Sequence, residues 1–117
     1  MLSGLFIGGK MYKFRGNIAS KFGVHAAVVA EYLYTSEDKL EHMEFAKKVW
    51  CRCSAKRITV DNPFLTIDMT KHAIKILRNG GIIRSKRLLK SNYDHTNWYT
   101  FTEYGEKLMN GGEINDG

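Results

Sequence analysis

The sequence predicts a single α+β domain in which a buried helix and a pair of helices are followed by a β-hairpin. Three stretches indicate this fold. Residues 24–34 (VHAAVVAEYLY) form the most apolar segment, residues 63–83 (PFLTIDMTKHAIKILRNGGII) have the pattern of an amphipathic helix, and residues 98–101 (WYTF) suit a strand. At 117 residues with 44% hydrophobic content, the chain has the size and composition of one globular domain.

The elements before residue 54 are predicted from local patterns. Residues 1–10 are apolar and glycine-rich and suit a loose arm, a strand or a dimer contact, whereas residues 11–14 (MYKF) suit a short strand. Asn17 is expected to cap a short helix that Gly23 ends, and residues 24–34 are expected to form the central buried helix. The polar residues 35–43 are expected to form a loop, and residues 48–54 (KVWCRCS) alternate as a strand does.

The helix pair is predicted between residues 54 and 81. Ser54 is expected to cap a short helix over residues 55–60, and a turn at residues 61–63 separates it from the next helix, which Thr66 caps. In that second helix Thr70, Ala73, Ile74 and Leu77 are spaced three and four apart and predict one buried stripe. The glycines at positions 80 and 81 are expected to end it.

A strand with alternating character follows over residues 81–89, and a polar turn at residues 90–97 leads to the returning strand 98–101. Residues 102–108 suit a short helix. We therefore divide the chain into an N-terminal arm (1–10), a domain (11–108) and a flexible tail (109–117). The order helix, strand, helix, helix, hairpin predicts a winged helix-turn-helix: a three-helix core with a short first strand and a β-hairpin wing.

Charge distribution favours a polyanionic partner. The net charge is +6 and the isoelectric point is about 9.4. Between residues 71 and 93 there are seven Lys or Arg residues and no Asp or Glu, whereas the acids collect in residues 31–44 and after residue 102. This asymmetry predicts a basic surface around the second helix of the pair and the hairpin.

Several function classes are not expected. The chain has no run of 18 apolar residues and no basic region before its apolar N-terminus, so neither a membrane span nor a signal peptide is predicted. Cys51 and Cys53 lie too close along the chain for a good bridge, and reduced thiols in a cytoplasmic protein are expected. An enzyme is not predicted, because the sequence has no glycine-rich phosphate loop, no nucleophile with a base and no paired carboxylates. We also expect no cofactor and no metal, since a zinc site needs four ligands.

The segment from Trp50 to Thr100 resembles the winged-helix domains of phage replication initiators and replisome organisers, including the DnaD-like N-terminal domains of Gram-positive bacteria and their phages. The strings that carry the resemblance are AAVVAEYLY, Trp50 with Ser54, PFLT, AIKIL, GGII and NWYTF, and with them it covers about two-thirds of the chain. The sequence departs from the pattern in two ways. Thr70 stands where an aliphatic residue is usual, which predicts looser packing, and Ile67 and Asp68 stand where small polar or basic residues are common.

The resemblance implies that the second helix of the pair enters the major groove of double-stranded DNA. Lys71, His72 and Lys75 would then face the groove, and Asp68 would repel phosphate or accept a hydrogen bond from a cytosine amino group. The basic residues of the wing would contact phosphates or enter the minor groove, and Lys56 with Arg57 would clamp the backbone on the near side. The predicted DNA-binding residues are Lys56, Arg57, Thr66, Asp68, Lys71, His72, Lys75, Arg84, Lys86, Arg87 and Lys90.

The alternatives stay open at this level. The charged helix and hairpin suit a solvated surface as well, and Tyr93, Trp98, Tyr99 and Phe101 suit either a hairpin core or a platform for stacking single-stranded bases. The function expected first is DNA replication initiation or organisation in a phage or mobile element. A transcriptional regulator with the same fold, or a winged helix used for protein association, are the alternatives. The partners expected are duplex DNA, replication proteins and a second copy of the chain, the last through the apolar arm.

Overall fold

We analysed a computed structural model of the chain, which describes residues 2–36, 38–87 and 96–111. These residues form a mixed α+β fold with two antiparallel sheets. In chain order the elements are β1 (Leu2–Ile7), β2 (Lys10–Arg15), α1 (Gly16–Phe22), α2 (Val24–Tyr34), β3 (Glu41–Phe45), β4 (Lys48–Arg52), α3 (Ala55–Asp61), α4 (Ile67–Asn79), β5 (Ile83–Lys86), β6 (Trp98–Phe101) and α5 (Glu103–Met109).

The core is built around α2, as the sequence predicted. Seven apolar residues of α2, from Ala26 to Leu33, are buried, and α1, β2 and α4 pack around this helix. The stripe predicted on α4 is confirmed, because Thr70, Ala73, Ile74 and Leu77 are its buried residues. The predicted caps of α3 and α4 are also confirmed: Ser54 accepts a hydrogen bond from Arg57 N, and Thr66 accepts one from Met69 N, both at 3.1 Å.

The four-stranded sheet has the order β3-β4-β6-β5. It joins β4, the strand that precedes the helix pair, to the β5–β6 hairpin that follows it. Cys51 pairs with Tyr99, and Ile83 pairs with Phe101, so these four buried side chains share the face that packs on the core. Within the described residues, no helix has both the length and the apolar content needed to cross a bilayer.

Two predictions about the first half of the chain were wrong. Residues 41–43 were expected in a loop but belong to β3, which pairs with β4 in a hairpin. Asn17 does not cap α1, since the cap position is Arg15, and the Asn17 side chain instead donates to the carbonyl oxygen of Leu108 at 3.0 Å. For residues 1–10, the structure shows a strand rather than a loose arm, because β1 pairs along its full length with β2.

Two details near other predicted boundaries also differ. Of the glycines that end α4, only Gly81 takes the left-handed conformation, with φ +77°. Gly80 has a φ in the ordinary helical range. This position has no room for a side chain, because a Cβ there would collide with the Phe22 ring. Met109, placed in the flexible tail by the sequence prediction, is a fully buried residue of α5, and residues 112–117 of that tail lie outside the described residues.

Candidate nucleic-acid interface

The exposed face of α4 is the most concentrated charged surface on a single helix of the described chain. Its members are spaced three or four residues apart and all are exposed: Asp68, Lys71, His72, Lys75 and Arg78. The opposite face of the helix is the buried stripe described above, so the helix is held from behind and its cations project into solvent.

Thr70 fixes α4 against α3 more closely than the sequence suggested. Its side chain is fully buried, and its Oγ1 lies 3.0 Å from Oγ1 of Thr59. Thr59 Oγ1, which is partly buried, also donates to the carbonyl oxygen of Ala55 at 2.9 Å, so both hydroxyls have partners. The looser packing predicted from the absence of an aliphatic residue at this position is therefore not what the structure shows.

A groove of about 560 Å³ runs between α4 and the start of β6. Lys71 and Arg78 line the groove on the α4 side, and Thr96 and Asn97 line it on the β6 side. Ser54, the N-cap residue of α3, also lines it. Arg78 Nη1 donates to Ser85 Oγ at 3.1 Å and so links the last turn of α4 to β5. The structure therefore places one edge of the basic helix face beside the start of β6.

Arg78 is a candidate site residue that the sequence analysis left out of its DNA-binding set. The signal for it was present, because Lys71, Lys75 and Arg78 follow one another at intervals of four and three residues along the helix. His72 lies on the other flank of the same face. Together with Asp68 it borders a second groove, of about 420 Å³, against the junction of α1 and α2.

The β5 cations approach the interface from the other side of the hairpin. Lys86 pairs with Trp98, and Arg84 pairs with Thr100, so both cations lie on the sheet face opposite the buried Ile83. Lys86 Nζ lies 5.1 Å from the centre of the Phe45 ring, a cation–π contact across the sheet. Arg84 and Lys86 thus flank the hairpin and do not enter the groove that Lys71 and Arg78 border.

The remaining predicted hairpin residues are Arg87 and Lys90. Arg87 follows β5 directly and is exposed. Lys90 lies outside the described residues, as does Tyr93 of the proposed stacking platform. The other three aromatic residues of that platform are buried, with Trp98 only 1% exposed, so for them the hairpin-core interpretation is confirmed.

Lys56 and Arg57 lie in the first turn of α3, and both are exposed. Arg57 is already held by the protein: its Nε lies 3.1 Å from Asp61 Oδ2, and its Nη2 donates to the carbonyl oxygen of Lys39 at 3.1 Å. The Tyr32 hydroxyl donates to the same Asp61 oxygen. That hydrogen bond, and then the guanidinium of Arg57, lower the pKa of Asp61 below its usual value. Lys56 is therefore freer than Arg57 to move towards a phosphate.

The two cysteines behave as core residues. Both are buried free thiols, and burial raises the pKa of Cys53 to about 12 and that of Cys51 in the same direction. Burial therefore favours the protonated thiol form of both side chains at neutral pH. Among the described residues, no group of three or more His, Cys, Asp and Glu side chains is arranged around a common point that would hold a metal ion.

Comparison of the chain with protein-family models, with curated proteins and with solved structures found no match. Any functional assignment therefore depends on the geometry of the surface itself and on the resemblance described above.

Proposed function

We propose that α2, β4, α3, α4 and the β5–β6 hairpin form a winged helix-turn-helix unit that binds double-stranded DNA. The order of these elements and the pairing of β4 with β6 support this interpretation. In the proposed complex α4 lies in the major groove, and the hairpin lies as a wing on the adjacent backbone.

The observation that carries the proposal is the placement of the α4 cations. Lys71, Lys75 and Arg78 are exposed on a helix whose opposite face is buried in the core. Lys71 and Arg78 also line the groove between α4 and the start of β6. A B-DNA major groove admits one α-helix, and cations presented along a rigid helix reach both phosphates and base edges. Arg84 and Arg87, on and beside the wing strand, would add phosphate contacts.

The biological role that we propose is replication initiation or organisation in a phage or mobile element, and it rests on the resemblance of the Trp50–Thr100 segment. A transcriptional regulator would use the same surface. Mapping the genomic DNA fragments that the protein retains distinguishes the two roles, because an initiator is expected to select one origin region and a regulator is expected to select promoters.

An electrophoretic mobility-shift assay tests the DNA-binding proposal. We expect K71E and R84E each to weaken duplex binding severely, and K107E to leave it nearly unchanged. Lys107 is an exposed lysine on α5, so K107E makes the same change in net charge at a site outside the proposed interface. If about six phosphate contacts form, wild-type affinity should fall by roughly 10³ or more between 50 and 200 mM salt. Equal effects of all three substitutions, or none from K71E and R84E, would refute the proposal.

A further inference from the structure

The N-terminal hairpin presents one packed face and one apolar face. Leu5 pairs with Tyr12, and the Tyr12 ring is buried beside Phe64, so this face packs on the body of the protein. Phe6 pairs with Met11, and both side chains are exposed on the opposite face, with Phe6 66% exposed. Leu2, four pairs further along, is exposed as well. The outward face of β1 is therefore apolar and uncharged, and the cations that share this face, Lys13 and Arg15, belong to β2.

The outer edge of β1 also lacks the usual protection of an edge strand. This sheet has two strands, and among the described residues only β2 pairs with β1. The six pairs between the two strands are consecutive, with no bulge, and residues 2–9 contain no proline and no charged side chain. In natural proteins a lysine, a proline or a bulge commonly prevents an edge strand from pairing with another chain. The outer edge of β1 has none of these, so its free backbone groups can pair with a further strand.

Charge decides which strand fits there. The chain carries a net charge of +6, so two copies repel each other over most of their surfaces. On the hairpin the cations belong to β2, where Lys10 donates to the carbonyl oxygen of Asp61, and none lies on β1. An acidic partner would be drawn to the basic surfaces, whereas a second β1 strand meets no charged side chain on the strand with which it pairs.

We propose that β1 pairs antiparallel with β1 of a second copy, which joins the two hairpins into one four-stranded sheet around a two-fold axis. With the axis at Gly4, Leu2 of one copy lies opposite Phe6 of the other, and the outward apolar side chains of both copies become neighbours on one face. A six-residue strand is only about 20 Å long, so the contact area is at the low end for specific interfaces. The dimer is therefore weak and dependent on concentration.

Sedimentation velocity across the micromolar to millimolar range tests this pairing. Wild-type mass is expected to rise from 13.4 kDa towards twice that value as the concentration increases. F6K is expected to stay at the monomer mass, because it places a cation of each copy beside the paired strand of the other. V60K is the matched control: Val60 lies on α3 and is 64% exposed, so its substitution adds the same charge at an equally open site away from β1.

The inference stands if wild type and V60K associate while F6K does not. It fails if the wild type remains at 13.4 kDa throughout, or if F6K associates as strongly as V60K. Thermal unfolding verifies that F6K is folded, and L2K on the same strand replaces it if it is not. DNA binding plays no part in the measurement, so its outcome is independent of the function proposed above.

Discussion

Arg78 on α4 and Ser85 on β5 are joined by a hydrogen bond of 3.1 Å between Nη1 and Oγ, so α4 and β5 are connected by a side chain that also carries charge. The bond holds the Arg78 side chain at the groove between α4 and the start of β6, which this side chain lines. Its two partners can be changed separately, which distinguishes the contribution of the charge from that of the link.

We expect R78A to reduce the slope of log affinity against log salt concentration by about 1, as loss of one phosphate contact does. S85A removes the link but keeps the cation, so it should leave that slope unchanged. Both measurements use the same duplex over a series of salt concentrations. An unchanged slope for R78A would show that Arg78 serves the fold and not the DNA, whereas a lower slope for S85A would show that the link is needed to hold the guanidinium at the phosphate.

Asp68 is the one carboxylate on the exposed face of α4, in the first turn of the helix. Next to phosphate it would be unfavourable, but at a base edge it can accept a hydrogen bond from the amino group of cytosine. We expect D68N to change the base preference at one position of the bound site, with discrimination of about 1–3 kcal/mol lost there. K75Q should weaken binding to all sequences alike. Selection from a random duplex library with each variant measures this, and identical preferences for D68N and the wild type would exclude base reading by Asp68.

The sequence was sufficient for α4 because every signal for that helix is local. A capping threonine, a stripe at helical spacing and two terminal glycines lie within residues 66–81, and the structure reproduces each of them with Gly81 as the left-handed residue. The same is true of α2 and β6, whose apolar or aromatic runs are long enough to identify the element.

β3 was missed because its turn carries no recognisable signal. Ala46 and Lys47 connect β3 to β4 with φ of 53° and 65°, a conformation that usually requires glycine or asparagine. The residues of β3 are mostly polar, so its own sequence does not indicate a strand. The strand forms because it pairs with β4. The contact of Lys86 with the Phe45 ring depends on that strand, so this contact could not be foreseen, although the placement of Lys86 on the strand face opposite Ile83 was predicted and is confirmed.

Thr70 and Thr59 share a buried hydroxyl contact that holds α4 on α3. T70V keeps the shape of the side chain and removes the hydroxyl, while Thr59 keeps its bond to Ala55. We expect T70V to lower the free energy of unfolding by about 0.5–1.5 kcal/mol, the usual net value of one hydrogen bond. Urea denaturation of T59V, T70V and the double variant measures the coupling between the two hydroxyls. Strictly additive effects would mean that they do not interact.

Asp61 should make stability depend on acid pH. Its pKa is lowered in the folded protein, chiefly by the hydrogen bond from the Tyr32 hydroxyl, so the folded state prefers the ionised carboxylate. The stability that this group contributes is therefore complete above the unfolded pKa of 3.8 and is lost as the pH falls through the lower folded value. We expect D61N to be less stable than the wild type at pH 7 by about 1–2 kcal/mol, a modest value because the carboxylate is partly exposed.

The difference between D61N and the wild type should shrink once the pH falls below about 4, where the Asp61 carboxylate of the unfolded wild-type chain begins to take up its proton. Urea denaturation at a series of pH values between neutral and strongly acidic measures it. D38N is the control, because Asp38 is an exposed carboxylate in the loop before β3 and its removal should change little at any pH. A difference for D61N that stays constant across the series would mean that the side chain acts through its shape and not through its charge.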